Sequence, residues 1–443
     1  MSLRDLLLFS AMVVLVPMIL AHPYIGVLAW VVLGVMSPHR LTWGAAYDFQ
    51  FSFVVAILTV LGFLITRDTR TIKGGAALGV LVVFGLWVSL TTFSFSFHQQ
   101  DAIDYWWDRV VKTFVMTAIA LLVLHTKRHV ELLVWMLVGS LGYYGFKGGI
   151  FTLIGGGEYK VFGPPGSMIE ENNALAVGIV MVIPLMWHLY QQSRHKWLRI
   201  GIAAAAGLCA VSVLGSWSRG ALLAIFAMSC LLWIRSERKL PIFVGALLIT
   251  LIAIPAMPAK WFDRMHTIET YEEDKSANSR LNTWETAFNI AKDKFPVGGG
   301  LSYNSEATSA KYSPDPGESA VAHSIYFQVL GSQGFVGLAI FLIFWAIVWL
   351  DCAWIRRNSR HYPDLQWAFS LGSMSQVALF GYLVGGAFLE LAFWDVPYYL
   401  AVVVCVTRYA VTRELALTAS GDSVEIAPGV PLGARAKRVP VGH

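Results

Sequence analysis

Asn278-Ser279-Arg280-Leu281, Phe295-Pro296-Val297-Gly298-Gly299-Gly300 and Ala322-His323-Ser324-Ile325-Tyr326-Phe327 punctuate one mostly polar stretch, Met257 to Ala322, set between long apolar runs. Outside that stretch 56% of the whole chain's composition being hydrophobic makes itself felt, because only 14% of residues are charged. Soluble domains carry about 25% charged residues. The composition therefore reads as an all-α polytopic membrane protein holding the polar stretch over one face.

Apolar runs long enough to cross a bilayer fall at 50–66, 74–92, 110–125, 130–154, 170–190, 197–215, 219–234, 240–256, 324–352, 366–389 and 395–412. Basic residues collect in alternate connections: Arg67 to Lys73, Lys127-Arg128-His129, Arg194 to Arg199, Arg235 to Lys239 and Arg356 to Arg360. With those turns in the cytoplasm, the connections at 38–49, 93–109, 155–169, 216–219, 257–322 and 390–395 face outward. Pro17 and Pro23 interrupt the first 37 residues, which then make one net crossing by a broken helix, retained rather than cleaved as a signal. The expectation is about 12 transmembrane helices, both termini cytoplasmic, and one large periplasmic loop. The chain divides into a membrane bundle at 1–256, the loop at 257–322, further membrane helices at 323–412 and a disordered basic tail at 413–443.

The charge distribution supports that division. From Met257 to Ala322 there are seven Lys/Arg against ten Asp/Glu, so the net +5 of the chain sits in the short turns and the tail. Nucleic-acid binding is not needed to explain it, and anionic membrane lipids are the expected surface partner. The four cysteines lie in or beside apolar runs and suggest neither a disulfide framework nor a thiolate metal site. No Asp-x-Asp pair, phosphate loop or His/Cys ligand spacing is present, so no metal and no cofactor is expected.

Within the loop, Leu281, Trp284, Phe288 and Ala291 recur at helical spacing and predict an amphipathic helix capped by Asn278 or Ser279 and stopped by Pro296. That start puts Arg280 in the first turn, where unpaired N–H groups and a guanidinium would hold an anion. An ion pair with Glu272, Glu273 or Asp274 is the alternative. Ser302 to Ser319, with two prolines, reads as a mobile lid. The three glycines either offer N–H groups to a phosphate or end the helix. Arg219, in Ser216-Trp217-Ser218-Arg219-Gly220-Ala221, sits in a very short turn, where it meets an anion or snorkels to lipid phosphate. His323 opens a membrane helix on the same side and suits proton transfer, although a lone histidine is also commonly structural. Lys147, in a glycine-rich membrane run, is expected to face the bundle interior or to pair with Glu170 or Glu171.

In this order, the Ser218-Arg219-Gly220-Ala221 turn, the Asn278-Ser279-Arg280 start, the Phe295 to Gly300 run and Ala322-His323-Ser324-Ile325-Tyr326-Phe327 resemble the O-antigen ligase and polymerase superfamily of bacterial envelope glycosyltransferases. The likeness is strongest over 200–350. Family members usually have Asn after the histidine, and Ser324 stands here; the run to Gly331 looks like the O-glycosylation ligase branch, which leaves the acceptor open. The resemblance implies a lipid-sugar glycosyltransferase (GT-C-like) fold in the bacterial inner membrane, with its active site facing the periplasm. It implies transfer of a glycan from undecaprenyl diphosphate to a hydroxyl of lipid A core or of a protein, without metal or nucleotide. By residue match, Arg219 and Arg280 would grip the donor diphosphate and His323 would serve the acceptor or the leaving group. Lys147 and Tyr326 are further candidates for substrate contact, outside that match. A polymerase, a protein O-oligosaccharyltransferase and a lipid-sugar flippase are the competing readings; a flippase would show repeat symmetry and broken midplane helices.

Overall fold

The computed structural model describes residues 2–66, 74–235, 239–240, 244–245, 247–248, 251, 257–266, 275–316 and 321–419. It is 81% helix, and among the described residues there is no strand. Backbone groups in hydrocarbon must be satisfied within their own segment, which is why apolar runs of this length become helices. Among the described residues six helices are long and apolar enough to cross a membrane: Leu3–Ala21 (α1), Gly75–Phe95 (α4), Asn172–Gln192 (α8), Lys196–Gly215 (α9), Ile325–Ser359 (α14) and Pro363–Phe388, which contains Gln366–Gly385 (α15). Two more apolar helices are shorter, Pro23–Met36 (α2, closing in a π-turn) and Phe51–Ile65 (α3). The runs at 110–125, 130–154, 219–234 and 395–412 appear as Lys112–Val123 (α6), Lys127–Ile154 (α7), Arg219–Arg235 (α10) and Asp395–Ala419 (α16). The run at 240–256 lies mostly outside the described residues. Short helices Gln99–Tyr105 (α5), Ala259–His266 (α11), Lys275–Asp293 (α12) and Glu306–Tyr312 (α13) belong to the connections.

Glycine placement explains the tightest packing. A Cβ on Gly145 would stand 2.4 Å from Cys209 Sγ, and one on Gly149 would stand 2.2 Å from Leu208 O. Gly148 and Thr152 share that face of α7, which therefore lies directly on α9. Lys147 falls on the opposite face, exposed beside Phe146 and Ile150. The expectation that Lys147 points into the bundle is corrected by this geometry: the glycines take the inner side, and the lysine is left outside with Phe146.

The connections read as outward do gather at one end. Phe97 N donates to Gly299 O at 3.0 Å, His98 Nε2 lies 2.7 Å from Ser305 Oγ, and Val161 N donates to Gly215 O at 3.2 Å. At the other end Lys127 Nζ lies over Trp367 and Arg408 pairs with Asp351. The first 37 residues differ from expectation. Arg4 donates to Leu41 O at 2.7 Å and Ala46 N donates to the Asp5 carboxylate at 3.3 Å, whereas Tyr24 stacks on His129 at the far end. Helices α1 and α2 thus form a hairpin, not one net crossing, and the N-terminal end shares the face of 38–49. The end of α16 lies opposite. Its helix also runs through Ala419, so the predicted tail from Arg413 begins as ordered helix; residues 420–443 are outside the described residues.

α14 is the second departure. At 35 residues a continuous helix would be about 52 Å long, well beyond a hydrocarbon core of about 30 Å. It breaks at Gly334, whose φ of 66° and ψ of −170° are open only to glycine. The glycine run of the loop seats in that break. Gly298 N donates to Lys294 O, Gly299 N to Gly331 O and Gly300 N to Ser332 O, at 2.9–3.1 Å. All three N–H groups are therefore spent on packing, and the reading of this run as a phosphate cradle is set aside.

Two expectations follow. Single cysteines placed at Ser2, Trp43 and Gly156 of a cysteine-free chain should react with an impermeant thiol reagent from one side of the membrane, and one at His195 from the other; labelling of Ser2 together with His195 would dismantle the hairpin. Gly298→Ala puts a Cβ 2.6 Å from Gly334 N at a φ of 73°. Backbone strain alone costs about 1–2 kcal/mol, so the thermal midpoint in detergent should drop, and an unchanged midpoint would show that the clasp does not hold α12 to α14.

Candidate functional site

The polar residues between α9 and α10 build a helix start. Trp217 adopts a left-handed conformation (φ 59°) and its indole donates to Gly157 O at 3.1 Å, which reverses the chain. Ser218 Oγ then accepts from Ala221 N at 3.2 Å, capping α10. Arg219 is thereby the first helical residue, half-buried, where the positive end of the helix adds to its own charge. Asn172, at the start of α8, donates to Ser216 O at 2.6 Å and ties a second helix start to the first.

Arg280 is not where the sequence pattern puts it. α12 begins at Lys275, so Arg280 lies in its second turn and the dipole assistance falls to Arg219 instead. Good helix formers before Asn278 extend the helix backwards past both candidate caps. The predicted stripe is also rotated: Ala287, Ile290 and Ala291 are buried, whereas Leu281 and Phe288 are exposed. Small alanines permit close approach to α14, and Phe288 is left at the edge against Phe335.

One turn after Arg280, the Trp284 indole donates to Ala322 O at 2.7 Å and its ring stacks on Phe327 at 5.0 Å. These contacts fix the residue between them, His323, beside Arg280. Its φ of 43° is a conformation that costs an L-residue about 1 kcal/mol or more and persists only under such restraint. Burial, then the Arg280 guanidinium, push the imidazole below its ordinary value, and the Glu171 carboxylate pulls the other way. Both depressing effects favour the uncharged form of the imidazole.

Arg219 and Arg280 meet in one pocket, lined with them by Asn173, Ser218, Gly220, Phe388 and Leu389. Gly220 admits the Phe388 wall, since a Cβ there would stand 3.1 Å from Phe388 Cβ. Glu390 follows Leu389 and was absent from the sequence-level candidates. Burial and the neighbouring Glu171 push its carboxyl up to about 7. The signal was present in the sequence as a lone carboxylate in the apolar run Phe388-Leu389-Glu390-Leu391.

Two other candidates stay outside the pocket. Lys147 is on the outer face of α7, and the Tyr326 hydroxyl donates to Leu383 O at 2.8 Å, holding α14 to α15. The lid reading fails for 302–316. Ser305 caps α13, Asn289 donates to Tyr312 O at 3.0 Å, and Asn282 bonds Ser313 and both backbone groups of Asp315 at 2.9–3.0 Å. Among the described residues no group of three His, Cys, Asp or Glu is placed to hold a metal ion.

Residues 204–342 match the O-antigen ligase family, and residues 3–194 match a family of unknown function (DUF5935). No curated protein matches the chain. The pocket draws on both matched regions and on the chain beyond them.

The His323 titration is directly measurable. Its modification by diethylpyrocarbonate, which attacks neutral imidazole, should titrate below pH 6.5 in the unmodified chain. Arg280→Gln removes a depressing charge and should move that midpoint upward; an unmoved midpoint would separate the two residues.

Proposed function

From a chain whose residues 204–342 belong to the O-antigen ligase superfamily, we infer a membrane glycosyltransferase that moves a glycan from undecaprenyl diphosphate to an acceptor hydroxyl at the periplasmic face of the inner membrane. One observation carries the reading: two arginines from distant parts of the chain line one pocket, with a histidine beside the second whose imidazole burial and Arg280 hold below its ordinary value. Planar guanidinium forks match a diphosphate, and the start of α10 adds backbone N–H groups to the same anion. Cationic lining repels a divalent ion, which favours a metal-independent clamp.

In this reading the acceptor hydroxyl gives its proton to His323 as its oxygen bonds to the anomeric carbon. The bond from that carbon to the diphosphate oxygen breaks, and its electron pair leaves with the diphosphate. Arg219 and Arg280 stabilise the charge that develops there. Attack opposite the leaving group inverts the anomeric centre, and the donor bond supplies the energy. Lipid A core is the acceptor in this reading; protein and growing glycan are the alternatives. A flippase has less support, because the charged groups converge at one end of the bundle rather than along a path through it.

Transfer by the purified protein should survive EDTA, while Arg280→Lys should be severely impaired, because an ammonium does not reproduce the fork. His323→Ala should lose about two to four orders of magnitude in single-turnover rate with donor affinity retained. Chelation that abolishes transfer, restored by a divalent cation, overturns the clamp; a His323→Ala enzyme that binds donor poorly but reacts normally at saturation moves His323 into binding.

A further inference from the structure

Glu390 stands in a connection whose backbone is held from every side. The Tyr382 hydroxyl donates to Leu391 O at 3.0 Å, Ala392 N donates to Gln328 Oε1 at 3.0 Å, and the Tyr398 hydroxyl donates to Ala392 O at 2.8 Å. Gln328 in turn reaches the Tyr105 hydroxyl at 3.5 Å. Among the described residues the Glu390 carboxylate itself makes no hydrogen bond or ion pair, although it is half-buried and restrained. Its electrostatic neighbours include Glu171, Tyr105 and Tyr303. The bonds that hold residues 391 and 392 leave the Glu390 carboxylate free to accept from a ligand.

Asn173 and Leu389 line the arginine pocket, which sets Glu171, two residues before the first, and Glu390, next to the second, at its edge. Gln328 bonds both Ala392 N and the Tyr105 hydroxyl and so brings Tyr105 to the same connection. The electrostatic couplings of Arg280 with His323, His323 with Glu171, Glu171 with Glu390 and Glu390 with Tyr105 follow that order. One end of that line is the cationic clamp, and the other is acidic and aromatic. A diphosphate is repelled by the acidic end. A sugar is not: its hydroxyls donate to carboxylates, and neighbouring hydroxyls occupy two acceptors at once. A single serine or threonine hydroxyl satisfies one of them.

We propose that Glu171 and Glu390, walled by Tyr105, form the acceptor subsite and bind a carbohydrate through adjacent hydroxyls. The proposal rests on the glycosyl-transfer reading above. It places the attacking hydroxyl against His323, across from the diphosphate. It also assigns a task to the N-terminal region of the chain, since Glu171, Asn173 and Tyr105 all lie within 3–194: that region completes the site by holding the acceptor.

The test is steady-state transfer from an undecaprenyl-diphosphate-linked glycan, with lipid A core or, separately, a serine- and threonine-containing peptide as varied acceptor. Glu171→Gln and Glu390→Gln should each raise the KM for lipid A core by about tenfold or more, because a charged hydrogen bond is lost. Donor KM should stay within about twofold. Donor affinity, measured by binding, also reports that each variant is folded, and Glu390→Asp should recover part of the loss. Unchanged acceptor KM in both variants, or equal losses toward donor and acceptor, overturns the subsite. Transfer to the peptide alone overturns the carbohydrate assignment. Failure of the underlying reading looks different: Arg219→Ala and Arg280→Ala would then leave donor affinity intact.

Discussion

The close approach of Gly298-Gly299-Gly300 to the break in α14 is the constraint on which the rest of this molecule depends. Three backbone N–H groups of the loop are satisfied at that junction, two of them by carbonyls that the interrupted helix cannot use. Side chains at Gly298 or Gly300 would collide with backbone. Because the loop is clasped there, α12 lies along α14, and Trp284 reaches Ala322 O. Arg280 and His323 inherit their positions from that one contact.

Electrostatics then separates the two ends of the site. Arg219 draws on the start of α10, and Arg280 stands one turn from the indole that fixes the histidine's neighbour. Burial and the Arg280 guanidinium hold the His323 imidazole below its ordinary value. Removing charges from water is expensive unless partners are preorganised, and here the partners are set by caps and glycine contacts, not by flexible lysines. On the acidic side the same low-dielectric surroundings push Glu390 the other way, toward its protonated form. A single burial effect thus moves the His323 imidazole down beside a cation and the Glu390 carboxyl up beside another acid.

The two halves of the chain are joined through this end. Trp87 donates to Gln333 O at 2.9 Å, Phe97 N to Gly299 O, and Asn172 to Ser216 O. Such contacts bind residues far apart in sequence next to the pocket itself. The N-terminal region is therefore more than a lipid-facing platform, and Asn173 lines the pocket directly.

Much of this was legible in the amino-acid sequence by itself. Long apolar runs, alternating basic turns and one acidic polar stretch point to a helical, multi-pass membrane chain, because runs of about 20 apolar residues can pair their backbone groups in hydrocarbon only as helices. Arg219, Arg280 and His323 stand out for the same reason, as charged or titratable groups at membrane boundaries. Tertiary structure alone decided the rest. Helical phase sends Lys147 outward once the glycines of α7 claim the inner face. Pairing of Arg4 and Asp5 with residues near 41–46 turns an expected single crossing into a hairpin. Glu390 gains its standing only from Glu171, more than two hundred positions earlier in the chain. Local sequence reports which groups are costly to bury; which of them share a cavity depends on contacts between distant segments, and those are set by packing.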